Sequence, residues 1–466
     1  MRCRELDFQY IKPMNAQPIL SIIAAVFVVC LIILSAGNHV FADTQQTENI
    51  DSFYKALSER VEKGVKGPIG GWHYYWKDGY FSIDSREENI KFRVNGQFIV
   101  DSGDIEADDE LKKAFPKLDD RNILFRKLSV STYGNFYDTV DFKIGIDFAS
   151  VTDIQDIWIR YLKNPYLKKI KVGHQKEPFS LEDLISITRT TFMERALPVN
   201  AFGSGRNIGI RYDSLNSDKR INWGAGIFLN TGSFSTLGDG NSQISEANGF
   251  DVTARVFGLP VYGEDGQTLL HLGLGYSYGS RNEDDLDAPM QFRTRPESRL
   301  TNDRLVDTGP VPGKRRNTVN VELATVYGSW SFQGQCYHSS LDANAAGDPE
   351  FWGYYAFMSY FITGEHRNYN RSIGVFTGVE PQPVFHPMKG EWGAWEIALR
   401  HSYVDLNDAD IYGGKESNIT AGLNWIHNRN VRLMFNYIHA YVKDRASPPV
   451  DNGRTHIFQI RFQFIM

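Results

Sequence analysis

The chain has 466 residues, a formal net charge of −6, and 41 Gly, 23 Tyr and 30 Phe. So mild a charge excludes a nucleic-acid binder that relies on bulk electrostatics, and no compositional extreme marks a disordered or fibrous chain. A polar average carrying 13% aromatic residues suits a wall with one apolar and one wet face, as in a transmembrane β-barrel, better than two or three soluble cores.

The one long apolar run, 19–36, follows Arg2, Arg4 and Lys12 and precedes Val40-Phe41-Ala42. Residues 1–42 therefore read as a cleaved signal peptide, with an N-terminal membrane anchor the competing reading of so long a run, and a signal sends the chain out of the cytoplasm and, for a barrel, to the outer membrane of a Gram-negative bacterium. Cys3 and Cys30 leave with it, so Cys336 is alone and neither an intramolecular disulfide nor a cysteine metal cluster is expected. Residues 43–80, charged and weakly helical and then rich in Gly, Trp and Tyr, read as a periplasmic extension, and 81–466 as the barrel.

From residue 90 the hydropathy alternates. Val140, Phe142, Ile144, Ile146 and Phe148 interleave with Asp141, Lys143, Gly145 and Asp147; Phe458, Ile460, Phe462, Phe464 and Met466 interleave with residues that include Gln459, Arg461 and Gln463. A period of two puts the two sets on opposite faces of a strand. Sixteen such strands are expected, at 90–101, 122–135, 140–149, 154–162, 167–175, 205–213, 220–230, 250–258, 268–279, 317–326, 330–339, 351–362, 392–405, 415–426, 431–442 and 455–466. Their connections alternate: about 20 residues after Val100, about 30 after Gln175 and nearly 40 after Gly279, against turns such as Phe136-Tyr137-Asp138-Thr139, as in barrels with long external loops and short periplasmic turns. Two connections depart from this rhythm: 150–153 is a short external loop, and 361–391 is long where a turn is expected, with room for an extra hairpin. The last strand should close on 90–100, removing the open edge and making Arg461 a lumen cation beside Arg93.

A residue flanked by lipid-facing apolar neighbours must point into the lumen. On that rule the first six strands send Lys91, Arg93, Lys127, Lys143, Arg160, Lys169, Lys171 and Arg211 inward, against Asp141, Asp147, Asp156 and Asp213. All of these cations except Lys127 fall in the periplasmic half, a basic collar that would select anions. The plainer reading is that the lumen charges only neutralise one another.

The third external loop, 176–200, is too apolar for solvent, with Phe179, Leu181, Leu184, Ile185, Phe192, Met193 and Leu197. It should fold against the inner wall, with Ser180 capping a short helix that begins about Leu181 and holds Glu182 and Asp183 in its first turn. There it would place Lys176, Arg189, Arg195 and Arg206 near the constriction, with Ser180, Thr188 and Thr190 as hydroxyls for an oxyanion; loop-anchoring salt bridges are the competing role. The 280–316 loop mixes eight cations with seven acids and reads as solvated.

In 173–183 (GHQKEPFSLED), 191–197 (TFMERAL), 205–212 (GRNIGIRY), 393–406 (GAWEIALRHSYVDL) and 422–440 (GLNWIHNRNVRLMFNYIHA) the chain resembles the phosphate-selective porin O and P family. The resemblance implies an all-β, transmembrane antiparallel barrel of sixteen strands, usually trimeric, with the third loop in the pore, an arginine ladder leading in and a lysine cluster below. It also implies passive passage of anions, phosphate first among them, with a general diffusion porin or one for pyrophosphate or another solute as the alternative. Expected partners are outer-membrane lipid, inorganic phosphate or related anions, further copies of the chain, and the barrel-assembly machinery; no nucleic acid, cofactor, metal or catalytic group is expected. Two features depart from the family pattern: the chain ends Phe464-Ile465-Met466 rather than on an aromatic residue, and the 280–316 loop allows no ladder to be assigned. A barrel hydrolase would need a Ser/His/acid constellation that the scattered histidines do not form, and a plugged structural barrel would not conduct.

Overall fold

The computed structural model describes residues 65–66, 72–77, 80–85, 89–118, 122–149, 153–164, 168–229, 249–281 and 290–466. The expected signal peptide and the 43–64 part of the expected extension lie outside these residues.

Sixteen antiparallel strands close into a barrel. The first eight are β1 (Ile90–Ala107), β2 (Asn122–Phe136), β3 (Val140–Asp147), β4 (Asp153–Asn164), β5 (Lys168–Lys176), β6 (Arg206–Leu215), β7 (Ile221–Leu229) and β8 (Gly249–Gly263). The others are β9 (Thr268–Arg281), β10 (Arg315–Tyr327), β11 (Trp330–Asp342), β12 (Glu350–Phe361), β13 (Ala394–Asp408), β14 (Ile411–Ile426), β15 (Val431–Arg445) and β16 (Val450–Ile465). Each pairs with its successor, and β16 pairs with β1 from Thr455↔Ala107 to Ile465↔Gln97. Gly96 and Met466 then exchange two main-chain hydrogen bonds of 2.9 and 2.8 Å. Below that seam the same edge of β1 is taken over by a hairpin, Trp72–Lys77 and Tyr80–Ser85, whose second strand pairs Phe81↔Val94. The hairpin straddles residue 80 and continues the sheet at the periplasmic rim.

The alternation sorts the side chains as expected. Phe125, Ile144, Ile159, Ile210, Leu274, Leu399 and Phe458 form part of an exposed belt around the outside. So large an apolar surface is a liability in water and the natural partner of hydrocarbon.

The packed core lies in the lumen. The third loop carries helices α2 (Leu181–Leu184) and α3 (Leu197–Phe202), following α1 (Asp109–Ala114) on the external rim. Phe179, Phe192, Leu197 and Phe202 are buried with Phe351, Tyr355, Val404 and Ile438 of the far wall. Residues 290–314 overturn the solvated reading of the fifth loop. Phe292, Leu300, Leu305, Val306 and Val311 are buried in the same cluster, so this apolar half of the loop folds into the external mouth and takes its arginines with it. The long connection between β12 and β13 contributes no barrel strand. It holds a minimal hairpin, Tyr369–Asn370 with Val375–Phe376, that turns up into the lumen and packs with Leu181, Ile185, Leu259, Leu269 and Val326. Gly374 makes this possible: its φ is +66°, and a Cβ there would stand 2.2 Å from the Phe257 ring.

Candidate functional site, a cation-lined lumen

The third loop is fixed to one side of the barrel by polar contacts as well as by packing. Ser180 caps α2 by accepting from the Asp183 N–H at 3.3 Å, and its hydroxyl lies 2.7 Å from that of Tyr337. The N–H groups of Leu181 and Glu182 donate to Glu322 and Gln335 on β10 and β11, at 2.8 and 3.0 Å. Farther along the loop, Glu194 takes a fork from Arg126 (2.5 and 3.0 Å) and a bond from Arg461 (2.8 Å), with Arg299 at 3.7 Å. Burial alone would raise the Glu194 carboxyl, but Arg126, Arg461 and Arg299 hold it well below the usual carboxylate range. Arg461 is fully buried and also grips Asp101 with two bonds of 2.7 Å. It is therefore a clamp between β16, β1 and the loop, and not the open lumen cation expected beside Arg93. Arg400 on β13 is a second clamp, 2.6 Å from Glu297 of the fifth loop and 3.0 Å from the Glu194 carbonyl.

Free space is left on the other side, between the loop and the wall of β2–β6. A cavity of about 870 Å³ there is lined by ten cationic side chains and two carboxylates. Lys127, Lys143, Lys171 and Arg211 come from the strands, and Lys176, Arg195 and Arg206 from the base and interior of the third loop. Arg126, Arg295 and Arg299 complete the ten. Asp156 is shared by Lys143 (2.7 Å) and Arg206 (3.4 Å), and Asp213, in the next chamber, lies 2.7 Å from Arg211. Lys127, Lys171, Lys176 and Arg295 have no ion pair among the described residues. Lys127 donates to Gln155 at 3.3 Å, Lys171 lies over the Trp158 ring at 4.7 Å, Lys176 donates to loop carbonyls, and Arg295 donates to the Thr301 carbonyl. Burial and the neighbouring Arg299 and Arg304 push Arg295 down to about 9, so it is charged at neutral pH.

Two smaller chambers continue this space. One of about 300 Å³ at the external side shares Arg295 and Arg299 and adds Arg293, Arg304 and Arg316. One of about 350 Å³ toward the periplasm shares Arg211 and adds Arg160 and Lys169. Cations thus run from one mouth toward the other.

Of the residues singled out from sequence, Lys127, Lys143, Lys171, Lys176, Arg195, Arg206 and Arg211 meet in the central cavity, and Arg160 and Lys169 just below it. Arg160 is held by Asp141. Lys91 and Arg93 sit exposed near the periplasmic rim, Lys91 3.3 Å from Asp138 of the β2–β3 turn. Ser180 faces Tyr337 and Gln335 at the far wall, away from the cavity, because its hydroxyl is used as the helix cap. Arg189, Thr188 and Thr190 line a separate pocket against β15 and the periplasmic insertion. Sequence reasoning missed Arg126, Arg295 and Arg299. Arg126 and Lys127 stand together between lipid-facing Phe125 and Leu128, the trace of a bulge where the β1–β2 register slips, and both reach the lumen.

A closed barrel with an apolar belt, an infolded third loop and a water-accessible charged lumen defines an outer-membrane channel, not an enzyme. The comparisons place it more narrowly. A family model, "Phosphate-selective porin O and P", matches residues 92–465, and the chain belongs to that family. It is 27% identical over 370 residues to an uncharacterized protein of Caulobacter vibrioides, covering 78% of this chain and 70% of that one. It is 26% identical over 222 residues to Porin O of Pseudomonas aeruginosa, covering 42% of this chain and 49% of that one. Among solved structures, the outer membrane channel DcaP of Acinetobacter baumannii aligns with a TM-score of 0.50 at 13% identity, over 82% of this chain and 99% of its own, a likeness of fold alone. The protein is a β-barrel porin of a Gram-negative outer membrane.

Proposed function

We propose that this porin is a passive, anion-preferring channel whose physiological solute is phosphate, assembled as a homotrimer. The single observation that carries the reading is that, of the ten cations around the central cavity, Lys127, Lys171, Lys176 and Arg295 have no ion pair among the described residues. A lone lysine about 6 Å from a passing monovalent anion lowers its energy by roughly 3 kcal/mol at an effective dielectric constant near 20. Several such side chains along one path favour anions over cations at each step. Phosphate suits the site better than chloride because Arg and Lys donors in quantity replace its hydration shell with charge-assisted hydrogen bonds. The test is the reversal potential of the purified protein in a bilayer under a potassium chloride gradient, followed by titration of phosphate against the chloride current. Anion selectivity with block by millimolar phosphate is expected; cation preference would sink the whole reading, and anion current that phosphate leaves untouched would sink only the solute. Cross-linking in native membranes is expected to give a ladder ending at three copies.

A further inference from the structure

A second basic pocket lies outside the cavity chain just described and shares no lining residue with its central chamber. It is enclosed between the 188–191 segment of the third loop, the periplasmic insertion, and the periplasmic ends of β13–β16. Arg189, Arg367 and Arg432 line it. Arg429 does too, but that guanidinium is closed off by an ion pair with Glu380. The one other acid is Glu396, already engaged by Asn424 Nδ2 at 2.8 Å and Thr191 Oγ1 at 3.5 Å, with Arg432 at 3.7 Å. One carboxylate facing three guanidinium groups leaves about two positive charges unbalanced.

These groups are deeply enclosed. Arg367 is 4% exposed and Arg432 7%, and each keeps a buried N–H without a partner, at Nη1 of Arg367 and Nε of Arg432. Leaving such donors unmet is costly, the more so because they are charged. Arg367 is wedged by the rings of Phe376 (3.8 Å) and Phe357 (5.2 Å), and Arg189 has no ion pair among the described residues. Burial pushes Arg367 down to about 10, only partly offset by Glu396. The free space is about 30 Å³, room for about two water-sized guests and too little for a tetrahedral oxyanion. Gln463 Oε1 faces the same space without a donor, which one water can supply.

We propose that this pocket holds a small inorganic anion of chloride size, ligated by Arg189, Arg367 and Arg432, that ties the third loop to the periplasmic insertion. The anion is a fixed structural ligand, not a permeating one. Its role is independent of which solute the main path carries.

The test uses the full-length barrel in detergent, crystallised with bromide as the probe. An anomalous peak within hydrogen-bonding reach of Arg367 and Arg432 is expected; only water there in saturating bromide overturns the proposal. In solution, replacing gluconate by chloride at constant ionic strength should raise the thermal unfolding midpoint, with saturation. Gly378→Ala supplies a variant that removes no charge: its Cβ would fall 2.2 Å from Arg189 Nη1 and push that guanidinium out. Gly378→Ala should abolish the chloride-dependent rise while anion selectivity through the main path persists. A rise of undiminished size in Gly378→Ala and in Arg367→Gln would overturn the site.

Discussion

The two sides of the lumen use the same residue types to opposite ends. On the β8–β16 side arginines are spent on structure: Arg255 lies 2.8 Å from Glu322, Arg400 2.6 Å from Glu297, and Arg461 2.7 Å from Asp101, each nearly or fully buried. On the β2–β6 side Lys127 and Lys171 have no ion pair among the described residues and face open space. Placement of the third loop makes the difference. It covers the first wall, where each of these three arginines is held by a buried carboxylate, and leaves the second wet, so charges there can remain uncompensated. A count of lumen cations therefore says little about selectivity until the covered side is subtracted.

That contrast can be broken most severely at its anchor. Arg461→Met strands buried Asp101 and Glu194 without their shared partner. Removing one member of a buried ion pair costs about 3–5 kcal/mol, so a lower unfolding midpoint and a larger, noisier conductance are expected. Stable, quiet channels would show that the loop does not depend on this clamp. Next in size, Lys127→Glu with Lys171→Glu on the open side should carry the reversal potential toward cation preference at nearly unchanged stability. An unmoved potential would take both lysines out of the path. Arg299→Ala, which touches the cavity and only grazes Glu194 at 3.7 Å, should reduce single-channel current about two-fold by the lost attraction at one step, small on the Coulomb scale above. A change in pH tests the covered side gently. The folded-state pKa of Glu194 is depressed, so its contribution to stability is fully present above the unfolded value of about 4.3 and is lost only as pH falls well below it. Selectivity and unfolding midpoint attributable to this clamp should hold steady between pH 7 and about 5, and a collapse traced to Glu194 in that window would contradict the clamp. Least of all, Lys91→Ala at the exposed rim, whose partner Asp138 is itself exposed, should leave the unfolding midpoint nearly unchanged.

Strand number, strand faces and the inward third loop could be read from sequence because each follows from a short-range rule: period two along the wall, and an apolar segment where solvent would refuse one. The α2 cap at Ser180 was legible for the same reason, yet the same signal misled about function, since a hydroxyl serving a cap is turned from the pore. Arg461 and Arg189 were misplaced for want of tertiary information. Both sit on segments whose lumen face is correct, but whether that face is covered depends on loop residues more than a hundred positions away. Arg295 and Arg299 were hidden by the charge of their loop, although Leu300, Leu305, Val306 and Val311 in the same stretch carried the sign that it folds inward. The minimal hairpin at 369–376 could not be foreseen as a lumen element, because its two-residue strands give no periodicity to detect.

Arg461 lies 360 positions from Asp101 and 267 from Glu194. The residue that seats the third loop thus also joins the first strand of the wall to the last, so filter and closed wall come into being together. A cylinder whose seam is still open lacks this hold on the third loop and so has no finished sieve.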